Sequence, residues 1–364
     1  MAKEKVLFIL HLPPPVHGSS VVGKQIYDSE KINEKFNCIF INLSTSLEVN
    51  SIGKISLNKL FTFINILFKV FNVLLFQRID KVYLAPTVSK KGLYKDYLVI
   101  LIIKLFKVKR FYHLHNKGVS KRKKSKILNF LYLSFFKGVK VILLSQKLYK
   151  DVEEFVDIKD VFICPNGIKN EIDTIDFRKE TNKERLNLLF LSNLISSKGV
   201  YVLLYACKEL LNKSINFNCL FVGGEGDISK EVFAEKISEL GLQNHVFYLG
   251  KKYDNEKNEI FVNSDIFVFP TFYHNETFGL VNVEAMMFGL PVISTDEGGI
   301  TDIVEDGLTG YIVNKEDSTD LVNKIIKLID KEKRISMGIE GRARFEEKFT
   351  LQIFEEKILT ILDN

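Results

Sequence analysis

Short apolar runs rich in β-branched and aliphatic residues recur through the first part of the chain, at 6–10, 38–42, 81–85, 110–115, 139–144 and 161–164. Helix-compatible stretches separate them, which is the alternation of a parallel α/β sheet. Pro165-Asn166-Gly167 is a turn signal, and a polar segment follows it through Glu184. A second series then begins, with strands expected at 186–191, 216–222, 246–249, 266–269, 291–294 and 310–313. The pattern predicts two doubly wound sheets in tandem, joined near residues 165–185. We therefore expect an N-terminal domain over residues 1–165 and a C-terminal domain over 166–345. The last stretch, 346–364, reads as a closing helix that returns to the first domain. No short repeat or low-complexity segment interrupts this organisation.

Length agrees with two domains, since 364 residues exceed the ~250–300 at which a single core stops growing. A chain with 46% hydrophobic and 26% charged residues is globular, so disordered and fibrous classes drop out. Cys38, Cys164, Cys207 and Cys219 lack C-x-x-C spacing and read as buried thiols of a reducing compartment, not as a zinc site or a disulfide framework. The run 6–10, closed by Pro13-Pro14-Pro15, reads as a first strand and not as a signal peptide. The most apolar stretch, Leu57–Phe76, is interrupted by Lys59, Asn65 and Lys69, so the chain is not expected to cross a membrane.

Charge is divided unevenly. Residues 1–165 carry 28 Lys and Arg against 12 Asp and Glu, a balance of +16; the rest carries 23 against 33, or −10. That split suggests different partners for the two halves.

The stretch from Asn263 to Met286 carries the candidate chemistry. A strand ends at Pro270, a loop holds Glu276, and a helix opens around Gly279, with Glu284 in its second turn. Ligands of open α/β sheets sit at the carboxyl ends of strands. The backbone N–H groups of Phe278, Gly279 and Leu280 would lack intrahelical partners, and the helix dipole adds partial positive charge, which suits a diphosphate. Two carboxylates, Glu276 and Glu284, can accept paired hydroxyl hydrogens from a sugar or ribose diol. Taken singly, Glu276 could simply stabilise a helix dipole, Glu284 could be a solvated helix residue, and Lys198 could be surface charge. Gly223-Gly224-Glu225-Gly226 reads equally as a ligand loop or a strand-to-helix turn.

Glu276-x₇-Glu284, with Phe278-Gly279 inside and Ala285-Met286 following, resembles the signature of family 4 retaining glycosyltransferases of the GT-B fold, in the group 1 glycosyltransferase family. Pro165-Asn166-Gly167, Ser197-Lys198-Gly199, Val222-Gly223-Gly224-Glu225-Gly226, Gly289-Leu290-Pro291, Gly298-Gly299 and Asp306-Gly307-x-Thr309-Gly310 fall in that family's order. The resemblance is strong over 165–315 and loose before it. It implies two Rossmann-like domains facing a cleft, with Glu276 on the donor sugar's hydroxyls, Glu284 on the ribose and Lys198 on the diphosphate. The family usually has an Arg five residues before that Lys, and this chain has Asn193. Either Asn193 acts as a neutral donor, or a Lys or Arg from elsewhere replaces the missing cation.

In the first domain, Pro13-Pro14-Pro15-Val16-His17-Gly18-Ser19-Ser20 stands where family members have a glycine-rich loop. Gly18 and Ser19 could offer N–H groups to the donor or acceptor, or Ser19 or Ser20 could cap a helix. His113 and His115, two apart on a strand, share one face. The family often has a His at such a strand end, near the donor sugar, and His115, nearer the loop, is the choice. On Leu57–Phe76 the polar residues Asn58, Thr62, Asn65, Lys69 and Asn72 form one narrow stripe, and Lys117, Lys121, Arg122, Lys123, Lys124 and Lys126 precede an aromatic, aliphatic helix. Basic charge beside apolar surface suits an anionic leaflet, the alternative being a core helix with a solvated basic face. No nucleic-acid motif accompanies the charge.

The expected function is retaining transfer of a hexosyl group from a nucleotide diphosphate sugar, UDP-sugar favoured and GDP-sugar second, to a glycan acceptor, expected to be lipid-linked, in bacterial cell-surface polysaccharide biosynthesis. The enzyme would be cytoplasmic, peripheral to the inner face of the plasma membrane, with no resident cofactor. The chain contains no Asp-x-Asp pair, so no catalytic metal is expected. The alternatives are a nucleotide-sugar epimerase or hydrolase of the same fold, or a catalytically silent glycan-binding partner.

Overall fold

The computed structural model describes residues 3–16, 18–45, 57–88, 90–122, 125–172 and 185–364. The chain forms two compact units, one of Met1–Gly167 with Leu351–Asn364, the other of Ile168–Thr350.

In the first unit the order is β1 (Lys5–Leu10), α1 (Gly18–Asp28), α2 (Glu30–Lys35), β2 (Asn37–Asn42), α3 (Leu57–Phe76), β3 (Lys81–Leu84), α4 (Lys90–Lys104), β4 (Lys109–Leu114), α5 (Lys126–Phe136), β5 (Lys140–Leu143) and β6 (Val161–Ile163). All strands run parallel, in spatial order β2-β1-β3-β4-β5-β6. Right-handed crossovers put α3, α4 and α5 on one face of this sheet and α1 on the other, because the strand order reverses after β2.

The second unit comprises β7 (Leu186–Leu191), α6 (Val200–Asn212), β8 (Phe217–Val222), α7 (Lys230–Glu239), β9 (Val246–Gly250), α8 (Asp254–Val262), β10 (Ile266–Phe269), α9 (Leu280–Met287), β11 (Val292–Thr295), α10 (Ile300–Ile303), β12 (Gly310–Val313), α11 (Ser318–Lys327) and α12 (Lys331–Lys348). Its parallel sheet has the order β12-β11-β10-β7-β8-β9, a Rossmann order whose direction reverses between β7 and β10. Every residue of β3, β10 and β11 is buried, and all but Lys81, Ser294 and Thr295 are apolar, as strands with helices over both faces require.

The closing helix differs from expectation in where it begins. Phe349 and Thr350 break the chain after α12, since the carbonyl of Phe349 accepts the N–H of Ile168 and Thr350 bridges the same residue. A separate helix, α13 (Leu351–Asp363), follows. Its Phe354, Ile358, Ile361 and Leu362 join the first unit's core with Val6, Phe8, Val22 and Ile26. Burial of that kind contributes about 1.5–3 kcal/mol per large apolar side chain.

Two further expectations need correction. Helix α3 is continuous, and by length and composition it could cross a membrane despite its polar interruptions. Only the stripe Phe63, Ile66, Val70 and Leu74 is buried in the fold, and Phe61, Ile64, Phe68 and Leu75 are exposed beside the polar stripe. Ser19 and Ser20 are not capping residues: α1 already begins at Gly18, and the Ser20 hydroxyl donates to the Pro15 carbonyl at 2.8 Å. His17, and Lys123 and Lys124 of the basic run, lie outside the described residues.

Candidate active site at the strand reversal of the second unit

Where strand order reverses, the loops leaving two neighbouring strands turn away from each other and open a crevice at the carboxyl edge of the sheet. Here those strands are β7 and β10. After β7 the chain passes Asn193 and makes a single 3-10 turn, Ser196–Lys198. After β10 it runs through Thr271 and Phe272 toward Glu276. The two loops are tied at the Ser197 carbonyl, which accepts the Phe272 N–H at 2.8 Å and the Thr271 hydroxyl at 3.4 Å.

That tie brings Lys198 Nζ to 2.5 Å from Glu276 Oε2, with side chains only 15% and 13% exposed. The ammonium also lies 4.7 Å from the centre of the Tyr273 ring and 5.3 Å from that of Phe269, which adds cation–π attraction. A largely buried pair of this kind is weak evidence for stability, because desolvation offsets much of its Coulomb attraction. Its placement at a ligand crevice is the more informative fact.

Glycines shape the floor. Gly298 has φ +58°, and a Cβ there would stand 2.3 Å from the Glu276 carbonyl oxygen. The Gly299 N–H donates to the Thr277 carbonyl at 2.8 Å. The Gly298-Gly299 pair is therefore the support on which the backbone of Glu276 and Thr277 rests. Gly279, at φ +74°, caps α9 in the left-handed conformation that other residues avoid.

Among the described residues, the N–H groups of Phe278, Gly279 and Leu280 donate to no protein atom. The amide of Asn282, buried in the first turn of α9, has no partner at either Nδ2 or Oδ1. Two residues on, Glu284 Oε2 meets Lys257 Nζ at 3.2 Å. Glu284 is thus a partly buried, paired carboxylate and not a solvated one. Asn193 Oδ1 accepts the Gly224 N–H at 3.0 Å, which joins the loops after β7 and β8 and leaves Nδ2 as the donor that side chain can offer a ligand. The Gly223 N–H donates to the Gly250 carbonyl at 2.9 Å, so this glycine cluster is also a structural turn.

The candidates of the first unit lie on a different sheet. His113 is fully buried, with Nδ1 2.5 Å from the Tyr83 hydroxyl. Burial, and secondly the nearby His115, pushes its pKa well below the ordinary 6.5, so it is a neutral core residue. His115 follows the end of β4, half-buried, its ring centre 4.2 Å from that of His113. Gly18 and Ser19 open α1, so their N–H groups belong to a helix N-terminus and not to a glycine loop. Among the described residues, no three His, Cys, Asp or Glu side chains cluster closely enough to hold a metal ion.

Sequence reasoning misses Lys257 and the Tyr273 ring. Lys257 is 27 positions from Glu284 on another helix, and no local spacing signals that pairing. Tyr273 lies within the stretch from Asn263 to Met286, but only the loop's fold turns its ring toward Lys198.

Residues 171–348 match the family model of glycosyl transferases group 1. The capsular polysaccharide biosynthesis glycosyltransferase CapM of Staphylococcus aureus is 31% identical over 204 residues, which are 54% of this chain and 52% of that protein. The chain thus spans about half the length of this curated relative. A glycosyltransferase from Rickettsia africae ESF-5 superposes with a TM-score of 0.77 at 21% identity, covering 100% of this chain and 99% of that one. Anabaena Alr3699/HepE, solved in complex with UDP and glucose, gives 0.73 at 18% identity, covering 99% of each chain. At such identities the solved structures speak for the fold, the two Rossmann-like domains of the GT-B class. The family match falls on the unit that holds Lys198, Glu276 and Glu284, so it is residues 171–348 that resemble the group 1 glycosyl transferases.

Proposed function

We propose that the chain is a glycosyltransferase that moves a hexosyl group from a nucleotide diphosphate sugar to a glycan acceptor with retention of configuration. The observation that carries this reading is the Lys198–Glu276 pair beside the unpartnered N–H groups opening α9. Carboxylates suit sugar and ribose hydroxyls, and N–H dipoles with an ammonium suit phosphate oxygens. UDP-sugar is the favoured donor, supported by the UDP and glucose bound to the Anabaena protein; GDP-sugar is the alternative.

In the transfer, the acceptor oxygen bonds to the anomeric carbon on the face from which the diphosphate leaves. The bond from that carbon to the phosphate oxygen breaks, and the departing diphosphate takes the acceptor's proton. Lys198 and the start of α9 stabilise the charge that grows on the leaving group, the kind of preorganised electrostatics that supplies a large catalytic term. Glu276 orients the sugar and Glu284 the ribose. The reading includes no resident cofactor and no metal, the diphosphate being met by cations and backbone donors.

The acceptor, in this proposal, is lipid-linked, and the first unit rests on an anionic cytoplasmic leaflet. What supports this is the outer face of α3, α4 and α5. Phe61, Phe68 and Phe130 are 69%, 66% and 70% exposed, Leu98 and Leu101 of α4 are also exposed, and exposed Lys69, Lys121 and Lys126 accompany them. A thermal-shift screen of UDP-, GDP- and ADP-sugars with and without EDTA tests the donor reading. One nucleotide class should stabilise the protein, by about 2.7 kcal/mol at ~100 times its Kd, whether or not EDTA is present. No shift with any nucleotide would reject the donor site, and a shift that EDTA removes and Mg²⁺ restores would reject the metal-free part.

A further inference from the structure

Charge at the donor site does not balance. A diphosphate brings net negative charge that increases as it leaves, yet Lys198 is already met by Glu276. Lys257 is bound to Glu284, and Lys315 to Glu297 at 2.8 Å. Lys252, near the same strand ends, is bound to Glu256 at 2.6 Å. With those pairs intact the side chains of the site sum to no positive charge, and backbone dipoles alone would face the phosphates.

Lys251 differs from these lysines. It is the first residue after β9, it is exposed, and it makes no ion pair among the described residues. Its stem does not extend into solvent but folds back across the end of the neighbouring strand β8. Cε and Cγ lie 2.5 and 3.5 Å from where a Cβ on Gly224 would stand, and Asn193 Oδ1 lies 3.2 Å from the same point. A lysine stem laid along a glycine gives up rotamer freedom that a stem in solvent keeps. The result is an unmatched ammonium carried toward Asn193, on the carboxyl edge that also holds Lys198.

We propose that Lys251 is the second cation of the donor site, pairing with the phosphates of the nucleotide sugar from the β8 and β9 side while Lys198 and the start of α9 meet them from the β7 and β10 side. Asn193, through Nδ2, is the neutral donor between the two. This inference rests on the reading of the second unit as a nucleotide-sugar site.

The test measures binding of UDP and of uridine to the full chain at low and high salt, for the parent, Lys251→Met, Lys251→Arg, Lys252→Met and Lys198→Met. Methionine keeps the apolar stem and removes the charge. Lys251→Met should weaken UDP about tenfold and flatten its salt dependence, as loss of one charge-assisted contact does. Uridine affinity should stay within about twofold, and Lys251→Arg and Lys252→Met should bind as the parent does. If Lys251→Met binds UDP like the parent while Lys198→Met does not, Lys251 is only a surface lysine and the donor-site reading stands. Equal losses for UDP and uridine would place Lys251 on the base and overturn its role as a phosphate ligand. A parent that binds neither ligand, nor GDP or ADP, would remove the donor site and this inference together.

Discussion

In the first unit buried polar groups sit within the packed core: Tyr83 bonds His113, and Asp96 takes the Thr87 N–H at 2.7 Å while burial pushes its pKa up. In the second unit the partly buried charges stand at strand ends, Lys198 with Glu276 and Lys257 with Glu284, around backbone donors that no protein atom takes. The outer surfaces differ in the opposite sense, with exposed Phe61, Phe68 and Phe130 on the first unit beside a basic excess, and an acidic balance on the second. One architecture is thus used twice, once with an apolar, basic outer face and once with partly buried charges gathered at strand ends, where the proposed function puts the ligand. The strand reversal between β7 and β10 is what lets the second unit do this, because groups from two diverging loops meet there.

The largest test of that division is Glu276→Gln. Turnover should fall about 10²–10³-fold, because the proposed contact is with the transferred sugar as charge develops. Affinity for free UDP should hold or rise, since Lys198 loses its carboxylate. Steady-state kinetics beside calorimetry separates the two, and a parallel loss of binding would mean that the pair serves the nucleotide.

On the first unit, the triple variant Phe61→Ser, Phe68→Ser, Phe130→Ser should lower partitioning onto anionic vesicles at least about tenfold, since each ring brings apolar area to the bilayer. These side chains are exposed, so the melting temperature should hardly move. Unchanged sedimentation with vesicles, or a parent that never binds them, would leave this face as ordinary surface.

Glu284→Gln is the milder change in the second unit. Removing the charged acceptor proposed for a ribose hydroxyl should raise the nucleotide Kd about tenfold, with kcat altered much less. A drop in kcat at constant Kd would reverse the roles given to the two glutamates.

The smallest expected effect separates the units by acidity. His113 is neutral in the fold with a pKa held well below the 6.5 of an exposed histidine, so the unfolded chain binds its proton more readily. The stability this contributes is complete above pH 6.5 and is lost as pH falls from there toward the folded pKa. Unfolding of the first unit should therefore move down by a few degrees, on the order of 1 kcal/mol, between about pH 7 and 5.5. In His113→Phe that slope should flatten; an unchanged slope would assign the acid sensitivity to other groups.

Much of this division is legible in the amino-acid sequence. The strands can be located because sheets covered on both faces need unbroken apolar runs, and the Glu276-to-Glu284 stretch because strand end, loop and helix start are contiguous along the chain. The features that the sequence hides depend on contacts between distant segments. Alternation puts His113 and His115 on one face and does not say that only the first is sealed in the core. Composition makes Leu57–Phe76 apolar but does not say which stripe the sheet takes. Gly18 and Ser19 read as loop because small polar residues suit turns and helix starts alike. The partners of Glu284 and of Asn193 come from other strands and helices, and the ion pair between Lys198 and Glu276 exists only because Ser197 ties two loops together.

Hydrogen–deuterium exchange of the full chain with saturating UDP-glucose tests the central claim most directly. If the second unit holds the donor at the strand reversal, protection should concentrate at the amides of Phe278, Gly279 and Leu280 and in the Ser196–Lys198 turn, while α3, α4 and α5 exchange as before. Protection confined to those three helices, or none at the start of α9 under conditions where binding is independently seen, would contradict the account.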